Sequence, residues 1–148
     1  MDCIFCKIVN NEVPSVKVWE DEKHLAILDI NPNTKGMTLL LTKEHFDSDM
    51  QSMPLKDLKD FSASLKELAA FLKKGLQVER VAMVMEGTGV NHAHVKLYPM
   101  HKGERPLEET KETIFFDVYP GYISTQLGPK ADVAELKKLA AEIKKANT

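Results

Sequence analysis

The sequence has no long apolar segment and very little cysteine. No apolar run approaches the length of about 18 residues that a membrane-spanning helix needs, so no transmembrane segment is predicted. The chain begins Met-Asp-Cys-Ile, without the basic and apolar regions of a signal peptide, and we expect a cytoplasmic protein. Two cysteines cannot form a disulfide framework, and 148 residues can bury a sufficient core without one.

An excess of charge of one sign is also absent. Twenty Lys and Arg residues against 22 Asp and Glu residues leave a formal net charge of -2, which gives no general attraction to polyanions. General nucleic-acid binding is therefore disfavoured, although local basic patches are not excluded. The composition, 43% hydrophobic and 28% charged, is typical of a soluble globular protein, and the length fits one domain.

The clearest chemical signal is the segment from Val90 to Pro99, in which polar and apolar residues alternate. This alternation predicts a strand that places His92, His94 and Lys96 on one face while the intervening residues turn to the core. Just before it, Gly87-Thr88-Gly89 offers bare backbone that a ligand can approach. Two imidazoles and an ammonium beside a glycine loop indicate a site rather than a solvated edge.

Both cysteines lie near the N-terminus, spaced Cys-x-x-Cys as Cys3 and Cys6. In a cytoplasmic chain this spacing indicates metal or redox chemistry before a structural disulfide. A tetrahedral zinc site needs two further ligands. The candidates are the five histidines: His24, His45, His92, His94 and His101. The alternative is that the cysteines are small packing residues.

The rest of the pattern predicts an α+β fold. Three short strands are expected at 15–20, 24–29 and 37–42, and apolar residues spaced by three and four predict a helix over 54–74. Ser52 and Gly75 are the expected cap and stop of this helix. Strands at 78–85 and 113–119 and a helix from near Ala131 complete the prediction. The apolar stripe of this helix is expected to consist of Val133, Leu136, Leu139, Ala140 and Ile143. The helix should cover one face of an antiparallel sheet.

These motifs together resemble the histidine triad (HIT) superfamily of nucleotide hydrolases and transferases, whose motif is His-x-His-x-His followed by apolar residues. Here the motif ends in Lys96. Further likeness lies in four segments: Cys3 to Ile8, Glu12 to Ser15, Leu28 to Pro32 and Leu40 to His45. The resemblance covers about residues 2–100. It implies a HIT domain over 1–100, with 101–148 as a C-terminal extension that packs on the same domain and contains the second helix.

The resemblance also implies a nucleotide site. His94 would attack the α-phosphate and form a nucleotidyl-imidazole intermediate, which water or another acceptor resolves. Asp29 would accept hydrogen bonds from the ribose hydroxyls, although a turn-forming carboxylate is the alternative. The other residues expected to bind nucleotide are Phe5, Ile8, Ile27 and Ile30 around the base, and Gly87, Thr88 and Gly89 in the loop. Tyr119, Tyr122 and Gln126 are candidates for substrate contact, with packing roles as the alternative.

A structural zinc ion and a homodimer are implied as well. In the HIT branches that bind zinc, the Cys-x-x-Cys is completed by histidines that match His45 and His92. HIT proteins commonly pair through the long helix and the strand before the triad, so this chain is expected to pair in the same way.

Three positions depart from the family pattern and leave the function open. Lys96 replaces the third triad residue, Met37 stands where many members have a histidine, and Met85 stands where some have an asparagine. An ammonium can hold phosphate oxygens but cannot accept a proton. The chain is therefore either a His94-dependent nucleotidyl hydrolase or transferase acting on a small purine nucleotide conjugate, assisted by Lys96, or a nucleotide-binding protein without useful turnover. The acidic balance and the lack of an appended DNA-binding module disfavour repair of adenylated DNA ends.

Overall fold

Five strands form one antiparallel sheet in the computed structural model, which describes residues 2–102, 113–124 and 126–147. The strands are β1 (Lys17–Glu20), β2 (His24–Leu28), β3 (Thr38–Thr42), β4 (Val81–Val84) and β5 (His94–Pro99), in the spatial order β1-β2-β3-β5-β4. The helices are α1 (Ile4–Val9), α2 (Leu55–Leu76) and α3 (Val133–Lys145), with a short 3-10 turn at Met50–Ser52. The α+β prediction is confirmed. In the described parts of the chain, no helix is long and apolar enough to cross a membrane.

The two faces of the sheet have different covers. Leu40, Val95 and Leu97 pack with the apolar stripe of α2 and with α3. On the other face, Leu39 and Leu41 pack with residues of α1. Because paired residues in a sheet share a face, the pairing of His94 with Leu41 and of Lys96 with Leu39 places both site residues under α1. The long helix thus supports the sheet from behind, and the short helix borders the site.

Helix α2 follows the predicted apolar period, but both predicted ends are wrong. Ser52 lies in the 3-10 turn, where its hydroxyl donates to the Asp49 carbonyl, and α2 begins after Pro54. The helix continues through Gly75 to Leu76 and ends at Gln77, which is left-handed with φ 55°. Gly75 serves helix packing instead, because a Cβ there would lie 2.5 Å from Cγ2 of Ile143 in α3.

The histidine strand is shorter than its alternation predicts. β5 begins at His94, so His92 precedes the regular pairing with β3. β3 ends at Thr42, whose amide still donates to the Ala93 carbonyl at 3.3 Å, while the Ala93 amide donates to the Phe46 carbonyl at 2.9 Å. His92 is thereby held by the loop after β3.

Described residues of 113–131 contact the turn between β2 and β3. The strand predicted over 113–119 is wrong: within the described residues this segment makes one isolated bridge, between Thr34 and Phe116. The Asn33 amide donates to the carbonyls of Ser124 and Gln126 at 2.7 and 2.9 Å. Asn33 and Thr34 belong to the turn between β2 and β3, and a turn offers no extended strand with which 113–119 could form a ladder.

Helix α3 begins where Asp132 caps it, through a 2.7 Å bond from the Ala134 amide. Leu136, Ala140 and Ile143 are buried as predicted. Val133 is exposed, so its place on the apolar stripe was wrong. The division of the chain near residue 100 stays a prediction.

Candidate functional site

His94 is a buried imidazole on the α1 face of the sheet, with one nitrogen already committed. Its Nδ1 lies 2.7 Å from the carbonyl oxygen of His92. A carbonyl can only accept, so Nδ1 carries the proton and donates it, and Nε2 keeps a lone pair. The ring of Phe5 meets the imidazole edge-on at 5.3 Å. The side chain is therefore oriented as a nucleophile with Nε2 as its reactive atom.

The apolar residues expected around the base divide into two groups. Phe5 and Ile8 project from α1 into one buried cluster with Ile27 of β2. Ile30 does not join this cluster: its side chain is 50% exposed, and its carbonyl accepts from the amide of Ala131. The structure thus brings three of the four expected base contacts together.

Asp29 follows β2 directly and is buried close to the other charged groups of this face. Burial raises the pKa of its carboxyl, while the Asn31 amide and the charges of Lys96 and His94 act against that rise. Its Oδ1 accepts from the Asn31 amide at 2.7 Å. This bond is the one that a turn-forming carboxylate makes, and the second carboxylate oxygen accepts no hydrogen bond from another described residue.

Lys96 is 14% exposed and paired with a carboxylate that the sequence analysis missed. Its Nζ lies 3.0 Å from Oε2 of Glu86, and the other oxygen of Glu86 accepts from the Thr88 hydroxyl at 2.8 Å. These two bonds lower the pKa of Glu86. The sequence offered one signal for Glu86, which is an acidic residue between the strand predicted at 78–85 and the glycine loop.

The glycine loop has the backbone that its composition predicts. Gly87 and Gly89 have φ values of 70° and 85°, in the left-handed region that favours glycine. Ser48, also missed, anchors this loop: its hydroxyl donates to the Gly87 carbonyl, and its amide donates to the Asn91 side chain, both at 2.9 Å. The Thr88 hydroxyl donates a hydrogen bond to the carboxylate of Glu86.

The other positions singled out in the sequence are the two methionines that depart from the family pattern and three residues near the C-terminal end. Met37 is buried, and its carbonyl accepts from the Asp29 amide at 2.9 Å, whereas Met85 is exposed. Tyr119 and Tyr122 line a cavity beside the end of β5, and the Gln126 carbonyl accepts from Asn33. Their role in substrate contact stays a prediction.

A second cluster consists of four potential metal ligands: Cys3, Cys6, His45 and His92. Their ligand atoms all lie within 4.8 Å of one another. Nδ1 of His92 is 3.5 Å from each sulfur, and Nδ1 of His45 is 3.3 Å from Sγ of Cys6. In a tetrahedral zinc site, bonds of about 2.3 Å to sulfur and 2.0 Å to nitrogen give an S···N separation of about 3.5 Å. The donor set therefore fits zinc in both type and spacing.

The protonation of His92 agrees with metal binding. Nε2 of His92 donates to the Thr42 carbonyl at 2.8 Å, so its Nδ1 lone pair faces the sulfurs. Burial lowers the pKa of His92 and keeps it neutral, the form that binds metal. For the Cys6 thiol the effect is the opposite: burial raises its pKa, and Cys3 raises it further, so a metal ion that binds there has to displace the thiol proton. The four residues can thus hold a metal ion, an arrangement that the packing alternative does not require.

The other histidines are used elsewhere. His24 bonds through Nδ1 to Asp21 and Ser64, under α2. His101 lies 2.8 Å from the Lys35 carbonyl through Nε2.

Comparison with known proteins assigns the class to which this fold and site belong. A model of the HIT domain matches residues 10–103. An uncharacterized HIT-like protein of Methanocaldococcus jannaschii is 40% identical over 106 residues, which cover 69% of this chain and 81% of that one. The chain therefore belongs to the HIT domain family, and the resemblance seen in its motifs is confirmed.

Two further proteins are similar over nearly the whole chain. The adenosine 5'-monophosphoramidase of Schizosaccharomyces pombe is 31% identical over 144 residues, which cover 97% of this chain and 96% of the yeast protein. The crystal structure of a zinc-bound histidine triad family protein from Mycobacterium smegmatis is similar with a TM-score of 0.66 and 25% identity. That likeness covers 99% of this chain and 96% of the other.

Proposed function

We propose that this protein is a nucleotidyl hydrolase or transferase that acts on a small purine nucleotide conjugate through a nucleotidyl-His94 intermediate. The observation that carries the proposal is the 2.7 Å bond from Nδ1 of His94 to the His92 carbonyl, which leaves Nε2 to attack. The full-length similarity to a yeast phosphoramidase supports it.

The reaction has two steps. In the first, Nε2 of His94 attacks the α-phosphorus, so that a phosphorus–nitrogen bond forms while the bond to the leaving group breaks. In the second, water or a phosphorylated acceptor attacks the same phosphorus and releases the imidazole. Asp29 holds the ribose and Lys96 faces the phosphate oxygens, while Phe5, Ile8 and Ile27 enclose the base.

The second candidate is a nucleotide-binding protein without useful turnover. Lys96 in the third triad position favours it, because an ammonium has no lone pair and cannot accept a proton as a neutral imidazole can. Intact mass spectrometry separates the two candidates. Brief incubation with nucleoside phosphoramidates, dinucleoside polyphosphates and sugar nucleotides should yield a nucleotidyl adduct for an enzyme, and its mass identifies the nucleotide.

Asp29→Ala tests the ribose contact. The variant should weaken ribonucleotide binding by about 1 to 3 kcal/mol, the scale of a hydrogen bond to a charged acceptor. Binding of 2′,3′-dideoxynucleotides should change much less. Calorimetric titration of both ligands measures the difference, and equal losses would assign Asp29 to the turn formed with Asn31.

We also propose that Cys3, Cys6, His45 and His92 hold one structural zinc ion. Bound there, the ion supplies a cross-link between the N-terminal helix and the segments that carry His45 and His92. The zinc-bound mycobacterial structure supports this assignment. Since the His92 carbonyl orients His94, the ligand residues also fix the nucleophile.

The final part of the proposal is a cytoplasmic homodimer that pairs through α2 and β4. β4 is an edge strand of the sheet. Met83 on this strand is 40% exposed, and Met85 just beyond its end is also exposed. An exposed apolar edge of this kind favours pairing with a second copy of the chain. Light scattering should give twice the chain mass of 16.7 kDa. Met83→Lys should shift the mass toward the monomer. A monomeric parent protein at micromolar concentration would reject the dimer.

A further inference from the structure

We propose that Glu86 selects substrates by charge: it occupies Lys96 and disfavours nucleotides that carry an anionic group beyond the α-phosphate. The preferred substrates are then nucleoside monophosphates joined to a neutral or cationic leaving group, and polyphosphates are disfavoured. This inference rests on the proposed nucleotide site and names the class of leaving group that it accepts.

The carboxylate of Glu86 is fixed from two sides. Lys96 holds Oε2 at 3.0 Å, and the Thr88 hydroxyl holds Oε1 at 2.8 Å. Thr88 lies in the loop whose left-handed glycines are anchored by Ser48. A ligand that needs Glu86 to move must therefore break two bonds within an anchored loop.

The order of the strands places Glu86 where the leaving group must pass. Asp29 follows β2, His94 lies on β5, and β4 is the next strand beyond β5. Val84 pairs with Lys96 in the antiparallel ladder, so the chain continues from Val84 to Glu86 alongside His94. A nucleotide with its ribose at Asp29 and its α-phosphate at His94 therefore directs its leaving group toward β4 and Glu86.

The local charges do not favour a second phosphate. Lys96 contributes one positive charge and Glu86 contributes one negative charge, so their ion pair leaves no excess positive charge for a second phosphate. The α-phosphate can share Lys96 with Glu86. A β-phosphate on the β4 side would meet the carboxylate of Glu86, whose ion-pair partner within the described residues is Lys96, and juxtaposed like charges oppose binding.

Glu86→Gln keeps the size of the side chain and removes its charge, so nucleotide titrations of this variant test the inference. The probes are AMP, ADP and ATP, with the guanosine series in parallel, all without magnesium. The parent protein should bind the monophosphate at least as tightly as the triphosphate. In Glu86→Gln, triphosphate affinity should rise about tenfold relative to the monophosphate, and the kcat/KM ratio of a dinucleoside polyphosphate to a phosphoramidate should rise in the same direction.

Glu135→Gln is the matched control, because Glu135 is an exposed carboxylate 2.7 Å from the ammonium of Lys138 on α3. Its ratio of triphosphate to monophosphate affinity should equal that of the parent. Glu86→Ala repeats the charge removal in case the amide variant does not fold. In the parent protein, 1 M salt should reduce the preference for the monophosphate over the triphosphate, since screening weakens the repulsion between Glu86 and the additional phosphates.

The outcomes separate this inference from the function on which it rests. An unchanged affinity ratio in both Glu86 variants, or a salt-independent ratio in the parent, overturns the charge selection while monophosphate binding stands. If neither the parent nor any variant binds a nucleotide, the proposed function fails first.

Discussion

Replacing His94 with alanine is expected to abolish formation of the nucleotidyl adduct and to lower turnover by roughly 10³-fold or more, the scale seen when a nucleophile is removed. The loss follows from the proposed mechanism, in which Nε2 of His94 forms the bond to phosphorus. Nucleotide affinity should change much less, since the proposed base and ribose contacts are made by other residues, namely Phe5, Ile8, Ile27 and Asp29. Intact mass spectrometry and steady-state kinetics measure the two effects, and calorimetry measures the binding.

His101→Ala is the control for this experiment. It removes an imidazole that bonds to the Lys35 carbonyl, outside the proposed site, and should leave the adduct intact. If the His94 variant still forms the adduct, another residue is the nucleophile. A parent protein that binds nucleotide but never forms an adduct would favour the binding protein without turnover.

Removing the metal is expected to have the largest effect on stability. Native protein should contain about one zinc ion per chain, and a strong chelator should lower the melting temperature by roughly 10 °C. We expect metal removal to lower the free energy of unfolding by about 4 kcal/mol, and each kcal/mol shifts the melting temperature of a chain of this size by about 2–4 °C. Elemental analysis gives the stoichiometry, and calorimetric melting with and without chelator gives the shift.

Cys6→Ser tests whether these four residues are responsible. The variant keeps a small polar side chain but removes a thiolate ligand, so it should melt near the temperature of the chelated parent and respond little to chelator. Adding zinc back should restore the parent protein and not the variant. Metal content far below one equivalent, with no chelator effect on the parent, would contradict the zinc site.

Patterns that depend on neighbouring residues in the chain were predicted correctly. The alternation around His94 determines which side chains share a face, because successive residues of a strand point to opposite sides. The three- and four-residue spacing determines the stripe of α2 for a similar reason. The stop of α2 was mispredicted because Gly75 is needed for close packing against Ile143, a residue 68 positions later in the sequence. Local signals of cap and stop cannot report such a contact.

The candidate site shows the same division. Motif likeness to the HIT family supplied the candidate metal ligands and the candidate nucleophile, since these residue types occur at characteristic spacings. It supplied neither Glu86 nor Ser48, which act through single bonds to Lys96 and to the Gly87 carbonyl. Charged and hydroxyl side chains are common in any sequence, so nothing distinguishes these two until folding brings their partners close.

The sequence by itself therefore determined the family, the α+β class and the face on which the histidines lie. The tertiary structure decided which charges meet there: it paired Lys96 with Glu86, turned Ile30 away from the base contacts and placed the lone pair of His92 toward two sulfurs. The physical reason is that strand and helix periodicity depends on covalent geometry repeated along the chain. Ion pairs and ligand clusters depend instead on distances between residues far apart in sequence, which are set only when the sheet is assembled.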